Sequence, residues 1–141
     1  MPRRAALARI ALLAAGAVVA AGVVWLGQTA GGRPALVLET TAVDFGPLRE
    51  RSTRFVELRN AGRKPLYILA ISSSCGCTTA EADATVLVPG ATARLAITFD
   101  PVAHGPQTGP ARHAVYLRTN DVRAPEIEVE VRAVVLEATA R

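Results

Sequence analysis

Apolar and polar residues alternate along most of the chain after residue 34, in short runs that are separated by turn residues. A period of two residues is typical of a β-strand with one buried and one exposed face. In residues 126–133, for example, apolar side chains alternate with Glu or Arg, which requires a sheet with one wetted face. The runs that predict strands are residues 35–40, 42–45, 54–60, 66–72, 92–99, 113–119 and 126–133.

These runs also predict the fold class. None of them shows a sustained helical period, so no helix is expected to cover a parallel sheet. Residues 100–112 are rich in Pro and Gly and predict a loop. Runs of this length and spacing predict an all-β protein, an antiparallel β-sandwich of seven or eight strands, in preference to an up-and-down barrel.

The first 30 residues have a different pattern. Arg3, Arg4 and Arg9 precede an uncharged apolar stretch of 17 residues, 10–26. A basic flank before an apolar core predicts one N-terminal signal or transmembrane helix. We favour an uncleaved anchor, because the stretch exceeds the 7–15 residues usual in cleaved signals, with a cleaved signal peptide as the alternative.

Three segments follow from this pattern. Residues 1–30 are predicted to be the signal anchor or signal peptide, residues 31–36 a linker, and residues 37–138 the folded domain. An anchor places that domain on the extracytoplasmic face of the cell membrane, held through residues 10–26 as a single span. A cleaved signal would release it as a secreted or periplasmic protein.

Charge follows the same division of the chain. The 141 residues carry 16 Lys and Arg against 12 Asp and Glu, a formal net charge of +4. All acidic residues and 12 of the basic ones lie after residue 34, so the predicted domain is formally neutral. The excess positive charge belongs to the export segment, and binding of nucleic acid is not expected.

Candidate chemistry is confined to Cys75-Gly76-Cys77, and three interpretations remain open. The cysteines could form a disulfide, although Cα atoms two residues apart in a straight strand are about 6.6 Å apart, at the upper limit for a disulfide. They could be metal ligands for Cu(I), with His104 and His113 as weaker candidates. They could also pack as small apolar residues on the core.

No enzyme signature accompanies these cysteines. The spacing is one residue shorter than Cys-x-x-Cys, and neither a phosphate-binding loop nor a nucleophile elbow is present in the sequence. The serines at 72–74 are expected to form turn hydrogen bonds. The chain is therefore not predicted to be an enzyme, with thiol redox activity as the alternative.

A set of short motifs resembles a known family. In order they are Val43-Asp44-Phe45-Gly46, Val56–Gly62, Pro65-Leu66-Tyr67-Ile68, Ser74-Cys75-Gly76-Cys77-Thr78, Val88-Pro89-Gly90, Ile97-Thr98-Phe99 and Leu117–Asp121. Together they resemble the bacterial domain-of-unknown-function family DUF1573, which is related to the ASH and hydin modules. The resemblance implies an immunoglobulin-like β-sandwich, usually exported or anchored, with no established activity. Residues 100–112 depart from the family, which has a shorter loop there.

A looser similarity, of architecture and Cys-x-Cys spacing only, links the chain to the assembly factors that deliver copper to cytochrome oxidase. We therefore expect an exported, membrane-anchored, immunoglobulin-like module that binds a protein partner on the extracytoplasmic face. The alternative is a Cu(I)-binding or thiol-redox module that uses Cys75 and Cys77.

Overall fold

Nine β-strands make up most of the described chain. The computed structural model of the protein describes residues 32–103 and 108–137. Within those residues there is no helix, and the strands are β1 (Leu36–Leu38), β2 (Ala42–Leu48), β3 (Ser52–Asn60), β4 (Leu66–Ser73), β5 (Thr78–Ala82), β6 (Val86–Leu87), β7 (Thr92–Phe99), β8 (Gly109–Thr119) and β9 (Glu126–Val135). The all-β prediction is confirmed.

The number of strands exceeds the predicted seven or eight. Both β5 and β6 were missed, since β5 has the sequence Thr-Thr-Ala-Glu-Ala with no large apolar residue and β6 has only two residues. The loop predicted at 100–112 ends earlier than expected, because β8 already begins at Gly109. Pro110 pairs with Val134 of β9, but β4 pairs with β8 only from Val115 onward. The edge of β8 that faces away from β9 therefore has no strand partner at Pro110, where a proline is tolerated.

The strands form two sheets. One has four strands in the order β1-β3-β7-β5, and the other has five in the order β2-β9-β8-β4-β6. The two sheets pack into a sandwich whose core is filled by the inward positions of both. The predicted alternation in β9 is confirmed, since Val129 and Val131 are fully buried while Glu126, Glu128 and Arg132 are exposed.

One pair of strands is parallel, which corrects the expectation of a purely antiparallel sandwich. β2 runs parallel to β9, with Val43 opposite Val131. The connection after β2 leads to β3 in the other sheet, so no hairpin fixes the direction of β2 at this edge. The register shifts between Asp44 and Pro47, where Gly46 has a φ of 66° that favours glycine.

Two buried polar side chains hold one end of the sandwich together. The Asn60 side chain donates to the carbonyl oxygens of Lys64 and Leu87, 2.8 and 2.9 Å away, and accepts from the N–H of Gly62 at 2.9 Å. Asp121 accepts from the N–H of Leu36 at 3.0 Å. These contacts give the Asn-Ala-Gly and Asn-Asp motifs a structural role, because both side chains satisfy buried backbone groups.

The predicted membrane segment, residues 10–26, lies outside the described residues, as does His104. In the part of the chain that the structure describes, no helix has the length and apolar character needed to cross a bilayer.

Candidate functional site

The Cys-Gly-Cys segment forms the turn that carries the chain from one sheet to the other. It follows β4 of the five-stranded sheet and precedes β5 of the four-stranded sheet. The N–H of Thr78 donates to the carbonyl oxygen of Cys75 at 3.1 Å and closes the turn. The hydroxyl of Ser73 lies 3.0 Å from that oxygen and 2.6 Å from the carbonyl oxygen of Thr78. The expected turn hydrogen bonding by the serines is therefore confirmed for Ser73.

Cys75 and Cys77 are joined by a disulfide across this turn. Their Cα atoms are 5.3 Å apart, shorter than the roughly 6.6 Å of a straight strand and within the usual disulfide range. Cys77 is only 8% exposed and belongs to the hydrophobic core, against which Cys75 is partly buried. Of the three interpretations of the sequence, the structure has the disulfide, and it also packs both cysteines on the core.

His113 of β8 lies directly beside this disulfide. Its Nε2 is 3.5 Å from the Sγ of Cys77, although the two residues are 36 positions apart in the chain. The imidazole stacks on the ring of Phe99 with centroids 5.7 Å apart, and Phe99 in turn lies 6.0 Å from the ring of Phe45. The half-buried histidine is thus supported by a buried aromatic pair.

Ser74 fixes the position of the turn relative to β8. Its N–H donates to the carbonyl oxygen of Ala114, and its hydroxyl accepts from the N–H of Ala114, both at 2.9 Å. Because Ala114 is the residue after His113, these two bonds bring the imidazole and the cysteines together. Ser74 and Phe99 are site residues that the sequence did not identify, although Ser74 lies in the recognised turn motif.

A small cavity opens next to the disulfide. Its volume is about 100 Å³, and its lining includes Cys75, Cys77, His113, Phe99, Asp100 and Pro110. The carboxylate of Asp100 accepts two hydrogen bonds. Arg51 donates to it at 2.9 Å, and the N–H of Val102 donates to it at 3.1 Å. The hydrogen bond from Arg51 is the main cause of a lowered pKa of Asp100, followed by the bond from Val102.

Of the residues predicted from sequence as metal ligands, the structure brings three together. One donor atom each from Cys75, Cys77 and His113 lies within 4.8 Å of the other two. The other histidine named by the sequence, His104, lies outside the described residues. Dithiol–disulfide exchange is the characteristic reaction of a disulfide, and reduction of this one would leave two thiols beside one imidazole nitrogen.

A second feature is the open edge of the sandwich between β4 and β5. Within the described residues, β4 has a ladder partner on its outer side only at Leu66 and Tyr67, which pair with β6. A groove of about 360 Å³ runs between the two edge strands beyond that point. Its lining includes Ile68, Leu69, Ile71, Ala80, Glu81 and Ala82.

Comparison with solved structures shows the same fold in other proteins. A protein of unknown function from Porphyromonas gingivalis W83 is 26% identical with a TM-score of 0.65, and the match covers 72% of this chain and 46% of that one. This chain thus spans less than half the length of that relative. The ASH/PapD-like domain 7 of human CEP192 is 14% identical with a TM-score of 0.55, over 73% of this chain and 86% of that one. The periplasmic chaperone SfaE is 12% identical with a TM-score of 0.52, over 76% and 60%.

These likenesses at low identity concern the fold alone and support an immunoglobulin-like, PapD-like sandwich. No curated protein is significantly similar to the chain. A family profile described as "Protein of unknown function (DUF1573)" matches residues 36–135, which include all nine strands. The chain therefore belongs to the DUF1573 family.

Proposed function

We propose that this chain is an exported, membrane-anchored module that binds an extended segment of a partner protein along the outer edge of β4. The fold supports this role, since immunoglobulin-like sandwiches commonly act through their strand edges and loops. The observation that carries the proposal is the edge of β4 from Leu69 to Ser73, which has no strand neighbour among the described residues on its outer side.

The backbone at this edge is oriented to accept another strand. The N–H of Ser74 donates inward to β8, and peptide groups alternate in direction along a strand, so those of Ile71 point outward. Leu69 is 60% exposed. An open, apolar strand edge is a template for pairing with another chain, and natural proteins cover such edges or protect them with charge. Addition of a partner strand is a common way to use such an edge.

The groove between β4 and β5 determines the chemistry of the partner segment. Its lining is apolar except for Glu81, which is exposed at the rim, and Thr85. Glu81 is the acidic residue of this lining, and Arg94, which shares a neighbouring pocket with Glu81, forms an ion pair with Asp83. The matching segment is extended, places small apolar side chains in the groove at every second position, and carries a basic residue opposite Glu81.

The test uses labelled peptides and the full chain in detergent micelles. The probe is a peptide of about eight residues, the length of a typical strand, that alternates Val and Lys, and the matched probe alternates Val and Glu. We expect fluorescence anisotropy to show binding of the Val–Lys peptide, and weaker binding of the Val–Glu peptide. Substitution Glu81→Gln is expected to reduce the difference between the two.

Leu69→Lys is the variant that tests the edge itself. A charge at this position protects an edge strand against pairing, so we expect binding of the Val–Lys peptide to fall at least about tenfold, or 1.4 kcal/mol. Val122→Lys is the matched control, because Val122 is 71% exposed and lies in the turn after β8. Equal binding by both variants, or no binding by the folded wild type, would refute the proposal.

A further inference from the structure

The turn between β4 and β5 and the middle of β8 place two sulfur donors and one nitrogen donor at one end of the sandwich. They are the Sγ atoms of Cys75 and Cys77 and the ring nitrogen of His113, all within 4.8 Å of one another. We infer that the reduced form of this protein binds one Cu(I) ion through these three atoms, and that the Cys75–Cys77 disulfide is the closed state of the same site. This inference is independent of partner binding at β4.

The spacing of the donors suits a single ion. Zinc–sulfur and zinc–nitrogen bonds in proteins are about 2.3 and 2.0–2.1 Å long, and with bonds of this length two ligands of one ion are separated by at most about 4.6 Å. The Cys77 sulfur and the His113 Nε2 are already 3.5 Å apart. Opening of the disulfide lets the two sulfurs separate to accommodate an ion, and only a small adjustment of the Cys75 and Cys77 side chains is needed.

The surrounding structure holds the ligands in place before any ion arrives. The imidazole rests on the ring of Phe99. The turn is attached to β8 by the two hydrogen bonds between Ser74 and Ala114. These contacts do not involve the disulfide bond itself, so its reduction removes none of them directly. Preorganisation of this kind lowers the cost of ordering the ligands.

The donor set favours Cu(I) over the other common ions. Thiolates are soft ligands that favour Cu(I), zinc and iron–sulfur clusters. Zinc is four-coordinate, so the three ligands here would need a water as the fourth, whereas Cu(I) needs no further ligand. The nearby Asp100 carboxylate is bound to Arg51 and to the N–H of Val102. A three-coordinate site with two sulfurs and one nitrogen satisfies Cu(I). A cavity of about 100 Å³ lies beside the cysteines.

The site changes state through a balanced exchange reaction. A dithiol reductant passes two electrons and two protons to the cysteine sulfurs, so that the Cys75–Cys77 bond breaks and a disulfide forms in the reductant. On binding, the two thiols release their protons, and copper stays in the Cu(I) state as two copper–sulfur bonds form. Oxidation of the pair by a disulfide oxidant reverses the sequence and releases the ion.

An anaerobic titration of the full chain in detergent tests this assignment. The protein is reduced with a phosphine, the reductant is removed, and Cu(I) is supplied as its complex with a chromophoric chelator. We expect the reduced wild type to withdraw one equivalent of Cu(I) from the chelator. The oxidised wild type is an internal control, since it has the same sequence and should withdraw none.

Three variants separate the ligands. Cys75→Ser with Cys77→Ser should abolish competition with the chelator for Cu(I). His113→Gln should lower the affinity for Cu(I) at least about tenfold, because loss of a residue that only hydrogen-bonds to a metal ligand already costs that much. His104→Gln, which changes the other histidine of the chain, should bind like the wild type. X-ray absorption of the loaded protein should show two sulfurs and one nitrogen on copper.

Several results would overturn the inference. They are failure of the reduced, folded wild type to compete, full competition by the double serine variant, and an unchanged affinity in His113→Gln. Loss of affinity in His104→Gln would also overturn the three-ligand assignment. Thermal unfolding of each variant establishes that it is folded, so that a loss of binding is not caused by loss of structure.

Discussion

Ser74 makes two hydrogen bonds to Ala114, one donated by the Ser74 N–H and one accepted by the Ser74 hydroxyl, and these join the Cys-Gly-Cys turn to β8. Ser74→Ala keeps the backbone bond and removes the hydroxyl acceptor of the Ala114 N–H. We expect the free energy of unfolding to fall by about 0.5–1.5 kcal/mol, the net value of one such bond. Denaturant unfolding measures it, and Ser72→Ala is the matched control, since both serines are exposed but the Ser72 hydroxyl has no hydrogen bond within the described residues. Equal stability of the two variants would contradict this role.

Asn60 is a second polar side chain on which the fold depends. It is fully buried, and its side-chain NH₂ donates to the carbonyl oxygens of Lys64 and Leu87. Asn60→Asp removes both donors and leaves buried acceptors unpaired, so we expect a loss of at least about 1–3 kcal/mol in the free energy of unfolding. Asn120→Asp is the control, because that partly exposed side chain keeps the oxygen that accepts from the N–H of Tyr67 and loses only one donor, to the carbonyl oxygen of Pro65. A small loss of stability that is equal in both variants would contradict the role of the buried Asn60 hydrogen bonds.

Gly62 lies against the segment that enters the domain. A Cβ at this position would be 2.2 Å from the carbonyl oxygen of Arg33 and 2.6 Å from the backbone nitrogen of Ala35. Gly62→Ala therefore pushes the backbone of residues 33–35 away from residue 62. We expect the free energy of unfolding to fall by about 1–3 kcal/mol, measured by thermal unfolding. Gly90→Ala provides the comparison, since it meets no atom within 4 Å and is strained only by its φ of 83°. A cost no larger than that of Gly90→Ala would contradict the close approach.

The ion pair between Arg51 and Asp100 predicts a pH dependence. The hydrogen bond from Arg51 lowers the pKa of Asp100 below its ordinary value of 3.8. A lowered pKa in the folded state gives stability that is present above the unfolded pKa and is lost as the pH falls through the folded pKa. Arg51→Gln should therefore destabilise the protein near neutral pH and have no effect in strong acid. Unfolding curves at both pH values test this, and a difference that is independent of pH would contradict it.

The disulfide is predicted to contribute little to stability or to partner binding. A bridge that closes a loop of about three residues stabilises a protein by roughly 1.6 kcal/mol at most. The groove between β4 and β5 contains neither Cys75 nor Cys77. Cys75→Ser with Cys77→Ser should therefore leave binding of the Val–Lys peptide intact while it abolishes competition for Cu(I). Loss of peptide binding in this variant without unfolding would contradict the independence of the two sites.

Much of the fold could be predicted because the signal is local. Alternation in residues 126–133 identifies one buried and one exposed face of β9 without any knowledge of its neighbours. The turn at Cys75 to Cys77 is equally local, since Gly and Ser residues surround it. The missed strands β5 and β6 are short or lack large apolar side chains. The parallel pairing of β2 with β9 was also missed, because it depends on where the chain changes sheet.

The candidate site was only half predictable for a related reason. Cys75 and Cys77 are two residues apart, so their proximity follows from the sequence alone. The approach of His113 depends on the pairing of β8 with β4, which joins residues 42 to 51 positions apart, from Ser73 with Val115 to Ile68 with Thr119. Nothing in the local sequence distinguishes His113 from His104 as the neighbour of the cysteines. The open edge of β4 could not be predicted either, because the strand order decides which strands lack a neighbour.

Amide hydrogen exchange at Ile71 tests partner binding at β4 most directly. The N–H of Ile71 faces outward at this edge, so a strand added there must accept from it. We predict that saturation with the Val–Lys peptide slows exchange at Ile71 in the wild type but not in Leu69→Lys, while Val122→Lys behaves like the wild type. Binding of the peptide without protection of Ile71 would show that it docks elsewhere and would contradict the proposed function.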